Sequence, residues 1–328
     1  MAVAADEWLD LIEREYLSDF IGAGGGAIKF VVGDGDELPA VGEVLRQLSA
    51  KYGLAHVAID AATTKLHMIQ DVFFAVARAL DWDSMAQYFV EALFDRQGYA
   101  WPRSGEAVPI KEVAAHNRVD EILMRRDFRQ WLTAELMRDA EMTQDFRVAM
   151  ARLCLGRLEP ENTQPGVLAP VLEWLRGDLR AIGALRETMI TARITRHTGR
   201  AMLRSVCRWL RRCGRRGLCV VLDIRQLGRT GAAVGAGFRY TPVAVIDAFE
   251  VLRQLIDDTE HFLGLLTVVL ADEVLIGDDE KRALRAYQAL NMRIGNDVRP
   301  EGRDNPLAPL IRLAGRPSAA AISATVAA

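Results

Sequence analysis

Residues 27–40 read Ala27-Ile28-Lys29-Phe30-Val31-Val32-Gly33-Asp34-Gly35-Asp36-Glu37-Leu38-Pro39-Ala40. A β-prone run enters a Gly/Asp turn, and a helical pattern follows at about 40–51. Leu54 to Ile59 then reads as a second strand, so the chain begins strand–helix–strand, the unit that builds parallel sheets. Upstream, Trp8, Leu11, Ile12, Tyr16 and Phe20 recur at helical spacing and predict an amphipathic helix over 5–21, ended by the glycines of 22–26.

Downstream the sheet resumes. Leu218 to Asp223 is an apolar strand ending in an acid, and a glycine-rich loop follows (Gly228, Gly231, Gly235, Gly237). Thr241-Pro242 reads as an N-cap with proline in the first turn, opening a helix to about Glu260. Leu265 to Ala271 is a fourth strand, 279–294 a helix and Leu310 to Leu313 a last strand. The middle is different in kind, with helical patterns at 66–80, 84–97, 117–139, 143–157, 167–187 and 196–213, broken at Pro102, Pro109, Pro160 and Pro165. The expected division is a first part of an α/β core (1–62), a helical insertion between strands two and three (63–190), a second core part that includes an Arg-rich helix (191–314), and a flexible tail (315–328).

The whole chain has 328 residues, half of them hydrophobic, with 41 Lys+Arg against 44 Asp+Glu. That size suits two ordinary domains or one large domain with an insertion, and the balance excludes a disordered chain or a generally basic, histone-like one. Of the 41 basic residues, 36 are Arg. A GC-rich genome explains that, as does bidentate recognition of phosphate or carboxylate. Cys154, Cys207, Cys213 and Cys219 form no CxxC pair and read as reduced core residues, with no metal site expected. The acidic N-terminus is unlike a signal peptide, and the longest apolar run, 262–271, is too short to span a bilayer. The expectation is a soluble cytoplasmic protein without membrane partners.

A phosphate-binding loop of the form GxxxxGK[ST] sits between a strand and a helix: its backbone N–H groups hold phosphates, its Lys neutralises them and its Ser/Thr binds Mg²⁺. Residues 33–40 occupy that place, with Leu38 for the second Gly, Pro39 for the Lys and Ala40 for the Ser/Thr. Acids in the loop repel a triphosphate, and Pro39 removes a donor. The partner strand should end in Asp-Glu, but here Ile224 follows Asp223. Gly33, Gly35 and Asp223 are therefore read as a remnant nucleotide site with no catalytic residue; no cofactor is expected, and ATP with Mg²⁺ is disfavoured. The plainer alternative is a tight turn and a strand-end cap.

The second candidate is electrostatic. Nine Arg lie between 193 and 216, and no acid or Lys falls between Glu187 and Asp223. Arg196, Arg200, Arg204, Arg208, Arg211 and Arg215 step by 3 or 4 along one helix face, with Leu203, Val206, Leu210 and Cys213 on the buried side. Like charges at that spacing repel, so an anion should offset them: acidic helices of the same chain, a nucleic-acid backbone or an acidic partner. Trp209 reads as core. Asp272-Glu273 stands where such folds place a polar sensor. Asp257, Asp258 and Glu260 read as solvated charge, and His67 and His197 as structural. No Ser-His-Asp or Cys-His arrangement emerges.

Several segments also resemble a known family. These are Tyr240-Thr241-Pro242 with Asp247 to Thr259, Ala286 to Leu290 with Arg293-Ile294 and Asp297-Val298-Arg299, and Asn305-Pro306 with Arg312-Leu313. The helix Ile194-Thr195-Arg196 … Gly199-Arg200 … Leu203 … Trp209 and the opening Tyr16-Leu17 … Gly25 to Phe30 belong with them. Together they resemble the P-loop ATP-binding proteins of BREX-type phage-defence systems, most strongly over about 190–313. The resemblance implies an AAA+-like P-loop fold with a large helical insertion, other defence proteins as partners and a homo- or hetero-oligomer. It also implies ATP binding after strand one. There the chain departs, with Pro39, Ala40, Asp223 and Ile224 at the positions of the Lys, Ser/Thr and acidic pair. Family members also run further past the last strand.

The leading expectation is thus a non-catalytic subunit that scaffolds a defence complex, with its Arg helix against DNA or an acidic partner. An ATPase completed by a neighbouring protomer and a direct DNA-binding module are the alternatives, beside a plain α/β protein whose Arg helix is paired internally.

Overall fold

The computed structural model describes residues 2–35, 37–102, 108–159, 166–229, 237–295 and 305–314. In chain order the elements are α1 (Ala5–Ile12), α2 (Phe20–Ala23), β1 (Gly26–Val32), α3 (Glu37–Lys51) and β2 (Leu54–Asp60). There follow α4 (Ile69–Ala79), α5 (Trp82–Arg96), α6 (Ile110–Asn117), α7 (Glu121–Leu132), α8 (Gln144–Leu158), α9 (Leu168–Arg176) and α10 (Gly199–Arg212). The chain returns through β3 (Gly217–Asp223), α11 (Arg225–Gly228), α12 (Pro242–Asp257), β4 (Leu265–Ala271), α13 (Gln288–Gly295) and β5 (Leu310–Arg312).

The five strands form one parallel sheet in the order β2-β3-β4-β1-β5. A parallel sheet is covered on both faces, so its strands need near-continuous apolar runs in place of alternation. Phe30, Val31 and Val32 of β1 are all fully buried, and so is Val268 of β4. On one face Leu38, Val41 and Leu45 of α3 pack with Trp8 and Ile12 of α1 against Val31, Val221 and Val268. Each such side chain contributes about 1.5–3 kcal/mol when fully buried. The start of α12 follows the sequence reading, since Thr241 Oγ1 accepts the Ala244 N–H at 3.2 Å and Pro242 fills the first turn.

Several expected helices divide. The pattern at 5–21 becomes α1, a π-turn at Glu13–Leu17 and α2. The pattern at 117–139 is α7 followed by a π-turn at Thr133–Met137, and 167–187 breaks after α9 at Gly177, which has φ +78°. The pattern at 279–294 reduces to a 3-10 turn at Leu284–Ala286 and then α13. Helix α6 was not expected at all. Gly231, Gly235, Pro160, Pro165, Asp36, 297–299 and the tail 315–328 lie outside the described residues.

Contacts group the chain into two compact units, residues 1–68 with 216–328, and residues 69–215. The first holds the sheet. The second is helical throughout its described residues and falls between β2 and β3 in the sequence. The Arg-rich helix groups with the helical unit, where the sequence reading put it in the second core part. Its apolar side explains this: Trp209 is fully buried with its ring centroid 4.9 Å from that of Phe89. All four cysteines are buried and free, and burial pushes the thiols of Cys207 to about 12 and Cys219 to about 11, so neither is a nucleophile at neutral pH. Among the described residues no helix is long and apolar enough to cross a membrane.

Candidate functional site

Parallel strands bring their carboxyl ends to one edge, and open α/β sheets place ligands there. In the sheet unit that edge gathers Gly33, Asp34 and Gly35 after β1, Asp60 and Asp223 at the ends of β2 and β3, and Asp272 after β4. The register sets Asp60 directly beside Asp223.

The loop after β1 is tied down by its own backbone. Gly33 N–H donates to the Ala271 carbonyl at 3.1 Å. A side chain at Gly33 would lie 3.2 Å from Leu313 Cδ1 and 3.3 Å from Leu38 Cδ2, so the close approach of Leu313, just after β5, and of α3 favours glycine. The Asp34 carbonyl accepts the N–H groups of Glu37 at 3.2 Å and Leu38 at 3.4 Å. The next residue, Pro39, has none. A helix N-terminus attracts anions through its unsatisfied N–H groups. Here two are taken, one is missing, and Glu37 adds a carboxylate to the first turn.

A cation at this edge is Arg225, which sequence reading missed. Its Nε lies 3.0 Å from both Asp223 carboxylate oxygens, and its Nη2 is 2.5 Å from Oδ2. Nη1 donates across to the Gly35 carbonyl at 3.1 Å. One guanidinium thus joins the end of β3 to the loop after β1, bringing together Gly35 and Asp223 of the expected remnant site. The hydrogen bonds to Asp223 raise the Arg225 pKa, and the fields of Asp223, Asp60 and Asp272 add to them. Burial raises the Asp272 carboxyl. The available signal was an Asp-x-Arg directly after an apolar strand. Asp60, also missed, ends its strand in the same way.

The Arg-rich segment is organised differently from the expected six-residue comb. Arg196 precedes α10 and Arg215 follows it, both exposed, while Arg200, Arg204, Arg208 and Arg211 lie within the helix and are half-buried. Asp139 meets two arginines of this segment. Its carboxylate accepts Arg208 Nε at 2.9 and 2.8 Å, and Arg212 Nε and Nη2 at 3.0 and 2.6 Å. Burial pushes this carboxyl up, but the bonds from Arg208 and Arg212 outweigh it and hold the pKa below its ordinary value. Glu135 stands 3.6 Å from Arg212. Arg200, Arg204 and Arg211 are also partnered. Among the described residues no group of three or more His, Cys, Asp or Glu is disposed to hold a metal ion.

A single five-stranded parallel sheet with crossover helices, its polar residues collected at the strand ends, defines an α/β protein. More particularly, the chain belongs to the BREX system ATP-binding protein BrxC/D family, whose family model matches residues 13–321. Membership implies a role in a BREX defence system. No curated protein and no solved structure matches the chain.

Proposed function

We propose that this chain is a non-catalytic P-loop-type subunit, AAA+-like with a helical insertion at 69–215, that scaffolds a BREX defence complex with other proteins of that system. The observation that carries this reading is Arg225 bridging Asp223 and the Gly35 carbonyl. The guanidinium engages a carbonyl of the loop, whereas a phosphate needs the loop's N–H groups turned towards it. With the first-turn donors of α3 taken or missing and acids on three strand ends, the edge does not fit a triphosphate. Direct titration with a fluorescent ATP analogue and Mg²⁺ is expected to give no saturable binding. Saturable binding with hydrolysis that disappears in Asp223→Ala would overturn the proposal.

The family description favours a second reading, an ATP-binding subunit whose missing groups come from a neighbouring protomer. The same titration in the presence of the co-purified defence proteins separates the two: binding restored only in the complex supports the second. For the Arg-rich segment, Asp139 supports internal pairing at Arg208 and Arg212, which leaves Arg196 and Arg215 as the side chains proposed to meet DNA or an acidic partner.

A further inference from the structure

The sheet unit also contains a cavity well away from the strand ends just described. It arises from the shortness of β5, which pairs with β1 only from Phe30 to Val32. Phe30 N–H donates to the Pro309 carbonyl at 2.7 Å, and among the described residues no strand pairs with Gly26 to Lys29 on this side. Alternation along a strand turns the N–H and C=O of Ile28 to the same side as those of Phe30. The amino half of β1 therefore forms the floor of an open space of about 270 Å³.

Its walls are apolar with a few convergent polar groups. Tyr16 and Phe20 stand on one side, ring centroids 5.8 Å apart and edge-to-face, with Phe20 44% exposed at the mouth. Ile256, Ile294 and Pro309 complete the apolar lining. Lys29, only 5% exposed, lies over the Tyr16 ring at 4.7 Å and donates to the Leu307 carbonyl at 2.5 Å. Arg293 reaches the same space. Its Nε and Nη2 bind Asp257, and Nη1 donates to the Ala289 carbonyl at 2.8 Å. These contacts use three of the five N–H groups of a guanidinium and fix its plane. A small cavity with aromatic walls, a backbone edge and few charged groups is the usual form of a small-molecule site.

We propose that this cavity binds a compact organic anion with a flat apolar body, a carboxylate, sulfonate or phosphate ester. The charged group meets Arg293 within the field of Lys29, and the body lies between Tyr16, Phe20 and Ile256. Such a site is independent of the strand-end edge and of whether a nucleotide binds there.

The test uses the full chain and 1-anilinonaphthalene-8-sulfonate as probe, followed by its fluorescence. One saturable site per chain is expected, with affinity at least about tenfold lower for Arg293→Gln, since a charge-assisted hydrogen bond is lost. Phe20→Ala should weaken binding as well, and Arg285→Gln, which alters an exposed arginine outside the cavity, should leave it unchanged. The uncharged probe N-phenyl-1-naphthylamine should bind wild type at least about tenfold more weakly, a comparison that needs no variant to fold. Equal affinity for the two probes, unaltered binding in a folded Arg293→Gln, binding of many probes per chain, or no binding would each overturn the proposal.

Discussion

Asp139 shows how much can rest on one side chain. Its carboxylate is 2% exposed and satisfies Arg208 and Arg212 together. Removing one member of a buried ion pair leaves the other charge without its partner, whereas replacing the whole set by apolar groups is often harmless. Asp139→Ala should therefore destabilise the helical unit by about 2–4 kcal/mol, less than a fully buried pair because both arginines reach solvent. Chemical denaturation followed by tryptophan fluorescence measures this, and adding Arg208→Met and Arg212→Leu to Asp139→Ala should recover much of the loss. A wild-type midpoint in Asp139→Ala alone would show that the pair contributes nothing. The absence of acids between Glu187 and Asp223 correctly signalled that an anion had to come from elsewhere. Its source was not legible, because Asp139 lies 69 positions from Arg208 in the chain and only tertiary packing joins them. Arg225 was hidden for another reason: an arginine two residues after Asp223 has no periodic signature.

Elements whose pattern is set by burial were easiest to read. The five strands fall within a residue or two of their expected ends, most plainly β3 and β4, whose near-continuous apolar runs suit strands covered on both faces. Helices broke where a local event outweighs periodicity. At Gly177 the left-handed conformation ends α9, and a Cβ there would lie 2.6 Å from the Phe74 ring. The union of α12 and α13 depends on a charged cluster that periodicity cannot show. Glu250 accepts Arg253 Nε and Nη2, each at 2.6 Å, and also Gln254 Nε2 and the Tyr287 hydroxyl. Arg293 on α13 joins Asp257 at the end of α12, with Nη2 3.0 Å from Oδ2. The hydrogen bonds from Arg253, first among several causes, hold the Glu250 carboxyl down at about 2. A carboxylate with a depressed pKa contributes stability that is fully present above its unfolded value of about 4.3 and lost as pH falls through the folded value. Hydrogen-exchange protection of 288–295, corrected for intrinsic rates, should accordingly fall between about pH 4.3 and about pH 2. Glu250→Gln should show lower protection at neutral pH and a flatter acid limb. An unchanged limb in that variant would assign the acid response to other carboxylates.

At the scale of the whole chain, the formal charge of −3 conceals a division between the units. Residues 69–215 carry 23 Lys+Arg against 19 Asp+Glu, and the remaining residues carry 18 against 25. These counts put +4 on the helical unit and −7 on the sheet unit. Any anionic partner is thus attracted by the helical unit and repelled by the sheet unit, with its acids at the strand ends. How strongly the attraction acts depends on which arginines are already engaged. Arg208 and Arg212 are committed to Asp139, and Arg196 and Arg215 are the exposed members at the two ends of α10. Each phosphate neutralised steepens the salt dependence of duplex binding by about 0.9 in a log–log plot. Two contacts give a slope of about −2, and all six arginines of the stripe acting together would give about −5. Fluorescence anisotropy with a labelled duplex across a salt series distinguishes these cases. The expected result is weak binding with the shallow slope, insensitive to DNA sequence and abolished in Arg196→Ala/Arg215→Ala. A slope near −5 would mean that the half-buried arginines leave their present partners to meet the backbone, and the helix would then be a nucleic-acid interface in its own right. With the shallow slope, α10 is instead a structural element of its unit that offers a partner only its two ends.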